Sequence, residues 1–183
     1  MGNGVYRPRF VDWDLTRLEN ITALSKQQYL DLYNEYQTNQ AWGGQNMDDK
    51  LFFQKYDEML PGEQTKEESD RAFAAFDFNK SGKLSFEEFL SVVVLLSRGS
   101  KTSDRIGYLI DQYNPTKKDN QIEEAFGKQV LDRLNQYYGI SNADSSAIWS
   151  QLTAASGEKT DRVSRDQFLA FIVENPVYRT HIQ

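Results

Sequence analysis

Between Asp77 and Glu88 the chain places oxygen donors at alternate positions of a twelve-residue stretch, Asp-Phe-Asn-Lys-Ser-Gly-Lys-Leu-Ser-Phe-Glu-Glu. Side-chain oxygens fall at the first, third and fifth positions (Asp77, Asn79, Ser81), and Gly82 at the sixth allows the sharp turn that folds them inward. Lys83 offers its backbone carbonyl at the seventh, Ser85 can hold a bridging water at the ninth, and Glu88 closes the set with two carboxylate oxygens. An all-oxygen shell of this kind suits a hard divalent cation: calcium, with magnesium as its competitor at rest. With Asp77 and Glu88 as the charged donors and Lys80 and Lys83 close by, the expected affinity is moderate, roughly 10⁻⁷ to 10⁻⁵ M.

Such a loop needs a helix on each side to hold it. Phe73 and Phe76 precede it and Phe86 and Phe89 follow it, at the spacing of amphipathic helix faces. Thr65 with Glu68 forms a capping box that opens the helix leading in. Ser85 with Glu88 does the same for the helix leading out, so Glu88 is placed to serve both the helix end and the cation. A further box, Ser25 with Gln28, precedes a run with Tyr29, Leu32, Tyr33 and Tyr36 on one face.

Leu84, at the eighth loop position, is the apolar residue that pairs one loop with its neighbour. A search for an apolar residue followed five places later by an aromatic finds Met47 with Phe52 as a first unit and Val163 with Phe168 as a fourth. Ile122, with Phe126 four places on, marks a less regular third. The expected fold is all-α, with four helix-loop-helix units in two pairs and short β-pairing between loops, because a single unit cannot bury its apolar face alone. The expected division is an arm over residues 1–20, a first pair over 21–98 and a second over 99–183.

The other three loops lack the donor pattern. In the first, Gln40, Trp42 and Gly44 stand where oxygens are needed and Leu51 replaces the closing glutamate. The third, from Asp111 through Asn114-Pro115 to Asp119-Asn120, is about four residues too long and has Phe126 at its closing position. In the fourth, Ser156, Glu158, Thr160 and Asp161 are polar, but Gln167 cannot supply a charged bidentate pair, and Ser164 with Gln167 reads as a capping box. One working site is expected.

A net charge of −6 and a pI near 4.9 oppose a nucleic-acid partner, since nothing would neutralise phosphates. There is no cysteine for disulfides or thiol chemistry. The longest apolar run, Val92 to Leu96, is too short for a bilayer. The opening Met1 to Arg9 is glycine-rich and basic rather than a secretory signal, so a cytosolic location is expected. The solitary His181 reads as frayed surface, and Glu67-Glu68, Glu123-Glu124 and Lys117-Lys118 as solvated groups, so no enzyme is expected.

The chain resembles the neuronal calcium sensor branch of the EF-hand superfamily, which includes recoverin-like sensors and guanylate-cyclase-activating proteins. The resemblance is carried by Met1-Gly2-Asn3, a degenerate first loop with a glycine pair, the run from Phe76 to Gly82, and Phe86-Glu87-Glu88-Phe89-Leu90 leading into Ser97-Arg98-Gly99. Glu174-Asn175-Pro176 adds to it near the end. It implies a sensor in which calcium draws Glu88 onto the ion, drags the exit helix, opens the unit together with its Met47 partner, and exposes an apolar groove to an amphipathic helix of a protein target. The implied groove lining is Leu32, Tyr33, Tyr36, Phe52, Tyr56, Phe73, Phe76, Phe89 and Val93.

The resemblance also implies a myristoyl chain on Gly2, with Arg7 and Arg9 adding attraction to an anionic membrane surface, although Tyr6 stands where that motif prefers Ser or Thr. The stripped third and fourth loops and the missing Cys-Pro of the first depart from the family pattern. Two alternatives share the loop: a constitutive regulatory subunit resembling calcineurin B, and a calcium buffer with no target. A coelenterazine photoprotein resembles the chain in length, with the opposite pattern of intact loops.

Overall fold

The computed structural model describes residues 9–22, 24–38, 47–59, 65–77, 80–97, 100–116, 119–155, 157 and 160–182. A 3-10 turn at Phe10–Asp12 leads into α1 (Leu15–Ile21), α2 (Lys26–Thr38), α3 (Asp49–Met59), α4 (Lys66–Phe76), α5 (Phe86–Leu96) and α6 (Thr102–Tyr113). After them come β1 (Gln121–Glu123), α7 (Glu124–Tyr137), α8 (Ser145–Ala155), β2 (Arg162–Ser164), α9 (Arg165–Glu174) and α10 (Pro176–Ile182). The described residues are thus mostly helical, with one small two-stranded sheet, consistent with the expected all-α fold.

The helix starts follow local chemistry. Ser25 donates its N–H to Gln28 Oε1 at 2.8 Å and accepts the Gln28 N–H on its hydroxyl at 3.3 Å. The boxes at Thr65/Glu68, Ser85/Glu88 and Ser164/Gln167 are likewise closed in both directions. Each satisfies two N–H groups that a helix start would otherwise leave without partners.

Loop pairing joins the helices. Met47 and Leu84 form an antiparallel bridge in which each N–H donates to the other's carbonyl at 2.8 Å. β1 and β2 pair antiparallel with Ile122 opposite Val163. All four of these side chains are buried. The two halves of the chain share one continuous apolar cluster. α4 packs along α7, where Phe76 meets the Tyr137 ring edge-on at 6.2 Å.

The segment expected as an arm is built into that cluster from residue 10 onward. Phe10, Trp13 and Leu18 are buried. The Phe10 ring lies 5.0 Å from Phe86 and 4.9 Å from Tyr33, and Trp13 lies 5.8 Å from Tyr108 and 6.1 Å from Tyr113. Burying each such side chain is worth about 1.5–3 kcal/mol, enough to order a short segment that lacks helical length of its own. Among the described residues, no helix is long and apolar enough to cross a membrane.

Candidate metal centre

α4 ends on Asp77, whose N–H donates to the Phe73 carbonyl at 2.9 Å and whose side chain turns back into the following loop. Asp77 Oδ1 accepts the Ser81 N–H at 3.0 Å, and Oδ2 accepts the Gly82 N–H at 2.8 Å. The turn passes through left-handed backbone at Lys80 (φ 52°) and Gly82 (φ 76°), the second of which only glycine adopts without strain. The Ser81 hydroxyl lies 3.0 Å from the Lys83 carbonyl oxygen and 3.3 Å from Asp77 Oδ1, with one proton to share between them. Three oxygens from the first, fifth and seventh positions therefore converge at the spacing found between ligands of one coordination shell.

At the far end, Glu88 sits in the first turn of α5. Its Oε1 accepts the Ser85 N–H at 3.1 Å, while the Ser85 hydroxyl accepts the Glu88 N–H at 3.2 Å. Asp77 is 7 % exposed and Glu88 2 %. Carboxylates withdrawn this far from water are costly unless a cation or several donors compensate them.

The donor set fits calcium: hard oxygens only, from a carboxylate, a hydroxyl and a carbonyl gathered in one turn, with a second carboxylate in the first turn of α5. Among the described residues, no three His, Cys, Asp or Glu side chains gather as a metal-binding group. Asn79 and Gly2 lie outside the described residues.

Asp111, taken from the sequence as the start of a third loop, is instead within α6, and arginine occupies it. Arg165 donates from Nε to Oδ1 at 2.5 Å and from Nη2 to Oδ2 at 2.9 Å, and Arg17 Nη1 donates to Oδ2 at 2.6 Å. The Asp111 bond holds the Arg165 guanidinium above its ordinary pKa, against the opposing effect of burial. Beyond α6, Asn114 Nδ2 and the Thr116 hydroxyl both donate to the Gln121 carbonyl at 2.9 Å, which ties that loop together with side chains.

In the fourth loop the Thr160 hydroxyl accepts the Arg162 N–H at 3.1 Å, and the Asp161 carbonyl accepts the Glu124 N–H at 2.8 Å. Gln40, Trp42, Gly44, Lys117, Lys118, Ser156 and Glu158 lie outside the described residues, and Leu51 is half-buried in α3.

Of the expected groove residues, Phe52, Tyr56, Phe76 and Phe89 are buried, and Leu32, Tyr33, Tyr36, Phe73 and Val93 are half-buried. Phe52 lies 5.4 Å from Phe73, 5.5 Å from Tyr56 and 6.2 Å from Phe89. Tyr33 and Tyr36 gather around Phe86 at 5.2 and 5.3 Å, joined there by Phe10. Phe10 was not anticipated, and the pairing of Phe10 with Trp13 three residues on is the local signal that could have suggested it.

His181 is exposed but belongs to α10, with its ring stacked 5.4 Å from Tyr138, so it is surface without being frayed. Glu67 pairs with Arg71 at 3.1 Å, Glu123 with Arg162 at 3.1 Å and Glu124 with Lys128 at 2.5 Å, while Glu68 closes its capping box. These acidic groups are solvated, as read from the sequence, and pair or cap at the surface.

Residues 68–96, spanning most of α4, the loop and α5, match the EF hand domain family. That places an EF-hand domain on the loop described above. Such a domain implies calcium binding, and the match supports membership of the EF-hand superfamily. No curated protein matches the chain.

Proposed function

We propose that this chain is a calcium-responsive regulator that binds the ion in the loop from Asp77 to Glu88 and controls a protein target. The observation that carries the reading is the pair of buried carboxylates at the first and last positions of the twelve-residue loop, in a segment that matches an EF-hand domain. Asp77, Asn79, Ser81 and Glu88 would hold calcium through their side chains, Lys83 through its carbonyl and Ser85 through a water. When bound, the ion supplies the double positive charge that these oxygens lack.

The residues around the loop link that charge to shape. Glu88 at present spends an oxygen on the Ser85 N–H. Giving both oxygens to a cation requires it to leave that bond, and the first turn of α5, with Phe86 and Phe89, must follow. The Met47–Leu84 bridge carries the displacement to α3. Phe52, Tyr56, Phe76 and Phe89 would then gain exposure beside Leu32, Tyr33, Tyr36, Phe73 and Val93, and the opened face would suit the apolar stripe of an amphipathic target helix.

Four helix-loop-helix units in two pairs is the architecture that goes with this reading, and the Ile122–Val163 pairing supports a second pair. The Arg17–Asp111–Arg165 cluster supports a second pair held together by protein cations. The resemblance to neuronal calcium sensors favours a sensor over a buffer.

The test is a calcium titration of the ¹⁵N-labelled chain followed by NMR. The Gly82 amide, which donates to Asp77 at 2.8 Å, is the reporter. One equivalent of calcium should shift Gly82 and the α5 amides, and binding of a hydrophobic dye should rise at the same point. An unmoved Gly82 in millimolar calcium overturns the metal site. A shifted Gly82 with unchanged dye binding overturns the opening and favours the constitutive subunit.

A further inference from the structure

The segment ahead of α1 is held at its two ends by different parts of the molecule. The Phe10 N–H, the first of its 3-10 turn, donates to Glu87 Oε1 at 3.1 Å. Its buried ring lies 5.0 Å from Phe86 and 4.9 Å from Tyr33. Phe86 and Glu87 belong to the first turn of α5, immediately before Glu88. Further along, the contacts pass to α6. Trp13 packs on Tyr108 and Tyr113, the Asp14 carbonyl accepts the Tyr108 hydroxyl at 3.3 Å, and Arg17 pairs with Asp111 at 2.6 Å. Between these anchors lies a single turn, too short to hold its shape without them.

We propose that Phe10 is a latch on α5, which holds the calcium-free form closed and raises the calcium concentration needed to fill the loop. The inference rests on the reading above, in which Glu88 swings onto the ion and the first turn of α5 follows. Glu87 and Glu88 are neighbours in that turn and move together, so the Phe10 N–H loses its acceptor as Phe86 leaves the ring. α1, fixed to α6 through Arg17, stays behind. The Phe10 contacts then belong to the closed form alone, and whatever they contribute opposes calcium binding. Apparent affinity falls with the fraction of protein in the binding-competent form. Weakening the latch therefore raises affinity through a residue that never touches the ion. Release also uncovers Phe86, around which Tyr33 and Tyr36 gather, and so enlarges the face offered to a target helix.

The experiment is calorimetric calcium titration of the full wild-type chain, Phe10→Ala and Phe10→Leu, beside thermal unfolding in EDTA and in saturating calcium. Phe10→Ala should bind calcium more tightly by about fivefold or more, the lower end of couplings between linked sites. Its Tm should fall further in EDTA than in calcium, and it should bind more hydrophobic dye without calcium. Phe10→Leu, which keeps the apolar bulk, should lie between the two. A residue that served the core alone would lower both Tm values alike and leave the affinity unchanged. In the wild type, NOEs from the Phe10 ring to Phe86 and Tyr33 should be present in EDTA and lost in calcium, while those between Trp13 and Tyr108 persist.

Unchanged or weaker calcium affinity in a folded Phe10→Ala protein overturns the latch, and so do Phe10 NOEs that survive saturating calcium. If Phe10→Ala does not fold, Phe10→Leu and the wild-type NOEs decide. The Gly82 amide tells which idea has failed. If it shifts with calcium while Phe10 stays in place, the latch alone is wrong. If it does not shift, the calcium reading falls and the latch falls with it.

Discussion

Glu88 holds two roles that one substitution can separate. Gln in its place keeps the volume and an oxygen for the Ser85 N–H, which Glu88 now accepts at 3.1 Å, and removes the charge. The capping box survives, because Gln serves at that position as well as Glu. Glu88 is 2 % exposed, so the neutral amide also sheds the cost of a buried carboxylate. Stability without calcium should therefore stay within about 1 kcal/mol of wild type, whereas Glu88→Ala, which opens the cap, should lose about 1 kcal/mol or more.

Calcium binding by Glu88→Gln should suffer far more than its stability. Glu88 is one of two charged donors in the shell, and its loss should weaken binding about 100-fold, or about 2.7 kcal/mol. The assay is calorimetric titration beside thermal unfolding with and without calcium. At a free calcium 100 times its Kd, the wild type should gain about 2.7 kcal/mol, seen as a rise in Tm of about 8 °C. The Gln variant at that concentration should gain less than about 1 kcal/mol. Near wild-type affinity in Glu88→Gln would refute the ligand assignment. A calcium-free Tm as low as that of Glu88→Ala would refute the capping argument.

Asp111→Asn replaces a carboxylate that accepts three N–H bonds from Arg17 and Arg165. With Asp111 at 29 % and the arginines at 37 % and 20 % side-chain exposure, the cost should be screened to about 1–2 kcal/mol and should shrink in 1 M salt. An unchanged Tm at low salt would remove the cluster from any role in stability. Gly127→Ala should lower Tm by about 5 °C, because its Cβ would stand 2.3 Å from Cζ3 of the buried Trp149; a Tm equal to wild type would mean that the ring moves at no cost.

Burial pushes the Tyr29 hydroxyl up to about 12 from its ordinary 10.0, partly offset by the bond to Thr22. The folded group holds its proton after the unfolded one has lost it. This stabilisation is complete below pH 10 and is lost as pH rises toward 12, by up to about 1.4 kcal/mol per pH unit. Urea denaturation across that interval should show a shallower loss in Tyr29→Phe, and parallel curves would contradict the burial argument.

Much of this molecule was legible because its signals are local. A capping box joins residues three places apart, and all four that the sequence shows are closed in the structure. The apolar eighth-position residues Met47, Leu84, Ile122 and Val163 find one another because each is the buried residue of a short extended stretch between helices. The turn at Gly82 and the inward carboxylate of Asp77 likewise depend on neighbours within five places.

Other features could not be read that way. Asp111 looks like a loop's first ligand until Arg165, 54 residues on, and Arg17, 94 residues back, meet it. Phe10 and Trp13 look like part of a loose arm, and their partners Phe86 and Tyr108 are likewise distant in sequence. The apolar cleft lined by Phe76, Ile110 and Leu134 draws its walls from helices distant in sequence.

Ligand spacing, helix starts and loop partners were therefore settled by the order of residues, since each rests on backbone geometry over a few positions. Which carboxylates face a cation and which face arginine, and where apolar surface is left open, was decided by packing between distant segments. Those contacts depend on the whole cluster closing at once, and no window of the chain contains both sides of any of them.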